Sequence, residues 1–410
     1  MSLFFLKLSW KNIWRNRRRT LLTVNAIGIG VMSLVFLYNY YDEFHEQLVH
    51  NVIRYHSGHL VVSAPSYHVR NAPNLYLKNP QKTVDWLNER PELGAWSGRV
   101  RVQGLVSSAE GSANILFVGI DPARESQVTQ FSTNIIRGSY ADTGEGKTVV
   151  LGKALSELLN VDIGAKVVAL TQGVDGSIGN ELFRVRGIFD TKSDMDKSLA
   201  FVSLEDGRAL AALPEGALHQ ISITLKKETD LEKTQADFTP AFSDAQMLTW
   251  KEVQRPVMAI IDLNKGVNRL LMIIILSVAA MGIANSILMS LMERTREFGV
   301  MMAIGTTKHE VTGMVIAETF LLCTVGVFIG NILGVAVTSF FHRFGFDLRW
   351  FTSHGYAVEG TLIQTVTYPN AHWWNSMWIT GIILVLSLVV ALIPARHIAK
   401  LSAVQALRAT

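Results

Sequence analysis

The chain has 410 residues, of which 49% are hydrophobic and 18% charged, with a formal net charge of +4. The charged fraction lies below the roughly 25% usual for soluble domains, and the mean hydropathy of +0.25 speaks against a wholly water-soluble protein. A surplus this small offers no footprint for nucleic acid, and a single cysteine, Cys323, excludes an intramolecular disulfide.

In chain order, residues 1–19 read as an amphipathic helix on the cytoplasmic leaflet. Leu3, Leu6, Trp10 and Ile13 share one face, and Lys7, Lys11, Arg15 and Arg18 another. Residues 20–54 comprise a first transmembrane helix, 20–41, and its continuation as a stalk. Leu37, Tyr41, Phe44, Leu48 and Val52 recur there at helical spacing. The apolar run is too long for a signal peptide and lacks a small-residue cleavage site. Residues 55–250 have globular composition. Strands are predicted at 58–64, 114–120, 148–151, 164–170, 181–189 and 219–225, and helices at 81–90, 153–160 and 204–213. They alternate without a regular βαβ period, which predicts an α+β domain.

A second stalk and span follow in 251–292. Val253, Val257, Ile260, Val267 and Leu271 form its stripe, with Asn264 in the remaining position. The span itself occupies 269–292. A polar loop at 293–310, a third span at 311–341, a connection at 342–373, a fourth span at 374–394 and a tail at 395–410 complete the chain. The expected fold is therefore a membrane protein with four transmembrane helices, one N-terminal and three C-terminal, and an α+β extracytoplasmic domain on helical stalks. The basic residues Lys7, Lys11, Arg15, Arg17, Arg18 and Arg19 precede the first span. The positive-inside rule then places both termini and the 293–310 loop in the cytoplasm.

Several candidate sites can be weighed on residue chemistry alone. Gly146-Lys147-Thr148 has the ending of a phosphate-binding loop but leads into a strand, so it reads as a turn. His45, His50, His56, His59 and His68 cluster in sequence, yet His56 and His59 are spaced for a metal only on a helix, and a strand is expected there. They read as core or surface histidines. Glu318 inside the third span reads as a polar contact between helices, with Asn285 of the second span as a partner. Gly326, Gly330 and Gly334 form a small-residue stripe that lets another helix approach closely. No nucleophile–base pair or paired carboxylates stand out.

The segment from Glu293 to Gly305 reads ERTREFGVMMAIG and resembles the E-R-x-x-E-[IF]-G-x-x-x-A-[LI]-G loop of FtsX-domain, or MacB-like, ABC transporter permeases. The tail from Pro394 to Arg408 is similar to that family's closing P-A-R-x-A-x-x-x-P-V-x-A-L-R, with Ala403 where proline usually stands. The opening from Trp10 to Thr20 is similar to its W-x-N-[LI]-x-R-x-x-x-R-[ST]. The segment from Ser57 to Tyr67 resembles the early outer-domain strand of the LolC/LolE branch.

The resemblance implies a permease without enzymatic activity of its own, in the bacterial cytoplasmic (inner) membrane. A separate ATPase subunit homodimer would bind ATP and Mg, and this chain would hold no cofactor. Its coupling segment would be Glu293, Arg294, Arg296, Glu297, Phe298, Gly299, Ile304 and Gly305, with Phe298 as an apolar knob docked in the ATPase. Other implied partners are a second permease (the same chain or a paralogue), membrane lipids and an extracytoplasmic lipoprotein or carrier. The implied work is extraction of a lipoprotein or other amphiphile by mechanotransmission, with periplasmic efflux as a second choice. Two alternatives differ in class: a regulatory subunit controlling an extracytoplasmic partner such as a cell-wall hydrolase, and an ion-coupled transporter. The latter needs inverted repeats and broken helices, which the sequence lacks.

Overall fold

The computed structural model describes residues 10–11, 13–70, 72–90, 93–140, 146–191, 195–227, 230–347 and 366–400. These fall into two compact units.

One unit holds four long helices: α1 (Arg17–Asn51), α2 (Arg255–Ala303), α3 (Lys308–Phe344) and α4 (Trp373–Lys400). Four helical stretches are long and apolar enough to cross a membrane: Thr20–Ser57, which runs past the end of α1, and Arg255–Met289, Lys308–Phe344 and Trp373–Leu392 within α2, α3 and α4. The four-span reading holds. The core of this unit is built from Ile27, Val31 and Val35 of α1, Ile283, Ile287 and Leu291 of α2, Cys323 and Val327 of α3, and Ile379 and Ile383 of α4.

The glycine stripe of α3 sits against α1. A Cβ built on Gly330 would lie 2.6 Å from the Gly28 carbonyl oxygen, and one on Gly334 2.8 Å from the Val35 Cβ. A side chain at either position would clash, so the glycines let the two helices pack closely.

α1 gives way at its end to a π-helical turn, Val52–Ser57, closed by Gly58 at φ +68. Gly58 is obligatory on two grounds: its φ is left-handed, and a Cβ would stand 2.6 Å from the Ile223 carbonyl oxygen. Leu48 and Val52 of the predicted first stalk stripe are buried. The second stripe shifts register: Val257 and Ile261 are buried, whereas Val267 is 42% exposed.

The second unit is a mixed sheet with short helices. Its strands are β1 (Leu60–Ser63), β2 (Trp96–Ser107), β3 (Ser112–Ile120), β4 (Ile135–Gly138), β5 (Thr148–Gly152), β6 (Lys166–Gln172), β7 (Ile178–Phe189), β8 (Leu199–Ser203), β9 (Gln220–Ile223) and β10 (Gln246–Thr249). The order is β10-β1-β9-β2-β3-β8-β5-β7-β4, and β6 pairs with both β2 and β7. That double pairing closes β2, β3, β8, β5, β7 and β6 into a ring. The pairs β3–β8 and β5–β7 are parallel and the other ladders antiparallel. The core lies inside, with Phe117, Leu151, Phe183 and Val202 almost fully buried.

All six predicted strands and all three predicted helices are present. Among the strands, β2, β4, β8 and β10 were not expected. The longest of these, β2, carries Arg99 and Arg101 among its valines. Arg99 is nevertheless buried, because Glu125 lies 2.7 Å from its guanidinium and removes the cost of an isolated charge.

Candidate functional site

The segment 293–310 was expected to be a loop outside the helical core. Instead, α2 continues without a break to Ala303. Gly305 then takes φ +106, and its N–H and that of Thr306 donate to the carbonyls of Met302 and Met301. This left-handed residue after the last turn ends the helix. Two residues later a capping box starts α3: the Thr307 hydroxyl accepts from the Glu310 N–H, and the Glu310 carboxylate accepts from the Thr307 N–H. Ile304–Thr307 is therefore a tight corner between two long helices.

The inner faces of this corner hold a chain of four charges. The Arg15 guanidinium donates to Glu297 Oε1 at 2.6 Å. Arg294 Nε donates to Glu297 Oε2 at 3.2 Å, and Arg294 Nη1 to Glu318 Oε2 at 2.8 Å. The chain binds the residues before α1 to the end of α2 and to α3. Its two ends differ in strength. The side chains of Arg15 and Glu297 are 58% and 44% exposed, so that pair contributes about 0–1 kcal/mol. Arg294 and Glu318 are buried, and stripping Glu318 of its partner costs about 3–5 kcal/mol. The hydrogen bond from Arg15, followed by that from Arg294, holds the Glu297 carboxyl below the usual carboxylate range.

Three expectations are corrected here. Phe298 is not an exposed knob: it is 3% exposed, packs into the core of the four-helix unit, and lies under the Arg294 guanidinium at 5.3 Å. Glu318 pairs with Arg294 and not with Asn285, which lies on an exposed face of α2. Gly299 is buried as well. The surface that the corner offers outward consists of Arg296, Val300, Ile304 and Gly305, with Val300 48% and Ile304 79% exposed. Glu293 also lies on the exposed side. The predicted segment thus divides into an inner half that anchors and an outer half that is exposed. Of the residues named for the amphipathic helix before α1, Leu3, Leu6 and Lys7 lie outside the described residues.

Sequence reasoning missed a second polar group, between α1 and α4. Asn39 is fully buried, and its side-chain oxygen accepts from the His372 N–H at 3.2 Å and from Asn375 Nδ2 at 3.0 Å. Asn375 Nδ2 also lies 3.3 Å from Asp42 Oδ2. Asn331 of α3 donates to Thr380 of α4 at 2.8 Å. An asparagine within an apolar run was the available signal.

In the sheet unit, Lys147 pairs with Glu181 and leads into β5, as a turn would. His59 is a core residue whose Nδ1 accepts the Leu225 N–H at 3.1 Å. His68 is held neutral by burial, its pKa pushed down to about 4.

The chain joins four helices long and apolar enough to cross a membrane to a separate unit built on a mixed sheet. The MacB-like periplasmic core domain matches residues 20–241, and the FtsX-like permease C-terminal domain matches 269–403. The first match alone spans more than half of the chain, and the chain belongs to the MacB-like, FtsX-domain family of ABC transporter permeases. It is 22% identical over 336 residues to the lipoprotein-releasing system transmembrane protein LolC of Neisseria meningitidis, covering 77% of this chain and 76% of that one. It is 23% identical over 425 residues to an ABC transporter permease of Methanocaldococcus jannaschii, covering 98% and 96%. Among solved structures, the periplasmic region of MacB from Actinobacillus actinomycetemcomitans aligns with 48% of this chain and 92% of that one, at 11% identity and a TM-score of 0.35.

Proposed function

We propose that this permease subunit converts ATP hydrolysis by a separate ATPase homodimer into movement of its outer domain, and so extracts a lipoprotein or other amphiphile. The observation that carries the reading is the outward half of the α2–α3 corner. Val300 and Ile304 are exposed beside Arg296, on a segment whose inner half is locked by Arg294, Glu297 and Glu318. An apolar pair beside a cation, on a rigid base, is suited to dock in a groove and to be pushed without deforming.

ATP shifts the permease between two arrangements only through contacts that differ between them, and this corner supplies such contacts. From it the motion passes to α3, and by the glycine stripe to α1 and its continuation. In this reading the corner and both termini face the cytoplasm, the protein sits in the bacterial cytoplasmic membrane, and ATP and Mg are held by the ATPase. A second permease, the same chain or a paralogue, faces it across the bilayer. The lipoprotein-releasing relative supports the choice of substrate class.

The test is purification of the full chain from membranes in mild detergent, followed by mass analysis of bound proteins and lipids. Recovery of an ATPase and a lipid-anchored protein is expected. Recovery of a cell-wall hydrolase with no amphiphile would replace transport with regulation.

A further inference from the structure

Beside the π-helical turn Val52–Ser57 lies an open polar cavity of about 440 Å³. Arg54 and His50 line it from one side, Gln127 and Gln130 from the end of the helix Pro122–Val128, and Thr224 and Lys226 from the chain leaving β9. No aspartate or glutamate is among its lining residues. The walls are tied together. The Gln130 N–H donates to the Arg54 carbonyl at 3.0 Å, and the Leu225 N–H donates to His59 Nδ1 at 3.1 Å. Among the described residues, the side chains of Arg54, Lys226, Gln127 and Gln130 have no hydrogen-bond or ion-pair partner.

The charge balance favours an anion. The end of the short helix presents about half a negative charge, against one full positive charge on each of Arg54 and Lys226. Glu125, on the same helix, is 1% exposed and neutralised by Arg99. A planar guanidinium fork, an ammonium and two free amides outnumber the two oxygens of a carboxylate. They match the several oxygens and the negative charge of a phosphate group. We propose that this cavity binds a phosphate group, carried on a lipid headgroup or free in solution. The site stands apart from the transport reading and does not depend on it.

The experiment uses the full chain in an uncharged detergent, titrated with inorganic phosphate, with dihexanoylphosphatidylglycerol and with dihexanoylphosphatidylcholine. Saturable binding is expected, weakened at least tenfold by Arg54→Gln/Lys226→Gln and by raised salt. Tighter binding of the phosphatidylglycerol than of both other probes assigns the site to an anionic lipid, and tighter binding of inorganic phosphate assigns it to a free phosphate. Lys226→Gln alone, on an exposed side chain, gives the same reading at smaller amplitude if the double variant does not fold. Absence of saturable binding to all three probes, or affinities unchanged in the folded variants, would overturn the proposal.

Discussion

The Arg294 guanidinium and the Glu318 carboxylate meet at 2.8 Å, both buried, where the second and third membrane helices converge. Glu318 sits within an apolar helix, and Arg294 makes its charge tolerable. Removing Arg294 leaves Glu318 uncompensated, at about 3–5 kcal/mol, whereas removing Glu318 leaves Arg294 with only its half-exposed partner Glu297 and should cost less. Glu318→Leu and Arg294→Met should therefore each lower the unfolding temperature in detergent and the yield. The double variant should recover much of the loss, because two apolar side chains leave no orphan charge. Additive losses in the double-mutant cycle would show that the pair does not act as a unit.

Phe298 and Ile304 should behave oppositely, although they lie on the same short segment. Phe298→Asp places a carboxylate in the packed core of the four-helix unit, at several kcal/mol, so poor insertion or low stability is expected. Ile304 is 79% exposed, and Ile304→Asp should leave folding unchanged. Limited proteolysis and size-exclusion profiles of the two variants check this; a well-folded Phe298→Asp protein would contradict the assignment of Phe298 to the core.

The glycines separate by what surrounds them. Gly330→Ala forces a methyl to within 2.6 Å of the Gly28 carbonyl, and overpacking of this kind costs about 1–3 kcal/mol. Gly381, also helical, has nothing within 4 Å of a built Cβ, so Gly381→Ala should be neutral or stabilising by up to about 1 kcal/mol. Thermal unfolding of the two variants should move in different directions.

The sheet domain should lose stability in acid. His68 has a buried ring nitrogen without a partner, and burial pushes its pKa from the ordinary 6.5 down to about 4. Between those values the unfolded chain binds a proton that the folded chain refuses, so stability falls as pH drops from 6.5 towards 4 and this contribution levels off below. His68→Phe should flatten the slope in that window, measured by near-UV circular dichroism of the full chain. An unchanged slope would place the acid sensitivity elsewhere.

The spans, their order and the glycine stripe were legible because hydropathy and small-residue spacing are local properties. Burial of charge is not local. Arg99 reads as a solvent residue in any window that omits Glu125, 26 positions away, and for that reason β2 escaped notice. The inner half of the α2–α3 corner was partly legible all the same. Ile283, Ile287, Leu291, Arg294 and Phe298 continue one helical stripe, and all are buried. The two charges at 293 and 294 suggested an end to the helix where the stripe runs on. Of the expected coupling residues, Glu293, Arg296, Ile304 and Gly305 lie on the exposed side, and Val300 joins them.

The most direct test of the account is co-purification of the partner ATPase with the wild-type chain and with Ile304→Asp, each scored for bound ATPase and for ATP hydrolysis by the recovered complex. The account predicts equal amounts of folded permease, at least a tenfold loss of bound ATPase in the variant, and a matching loss of hydrolysis. Wild-type levels of both in a correctly folded Ile304→Asp protein would show that the ATPase does not engage this corner, and would contradict the proposed route from ATP to the outer domain.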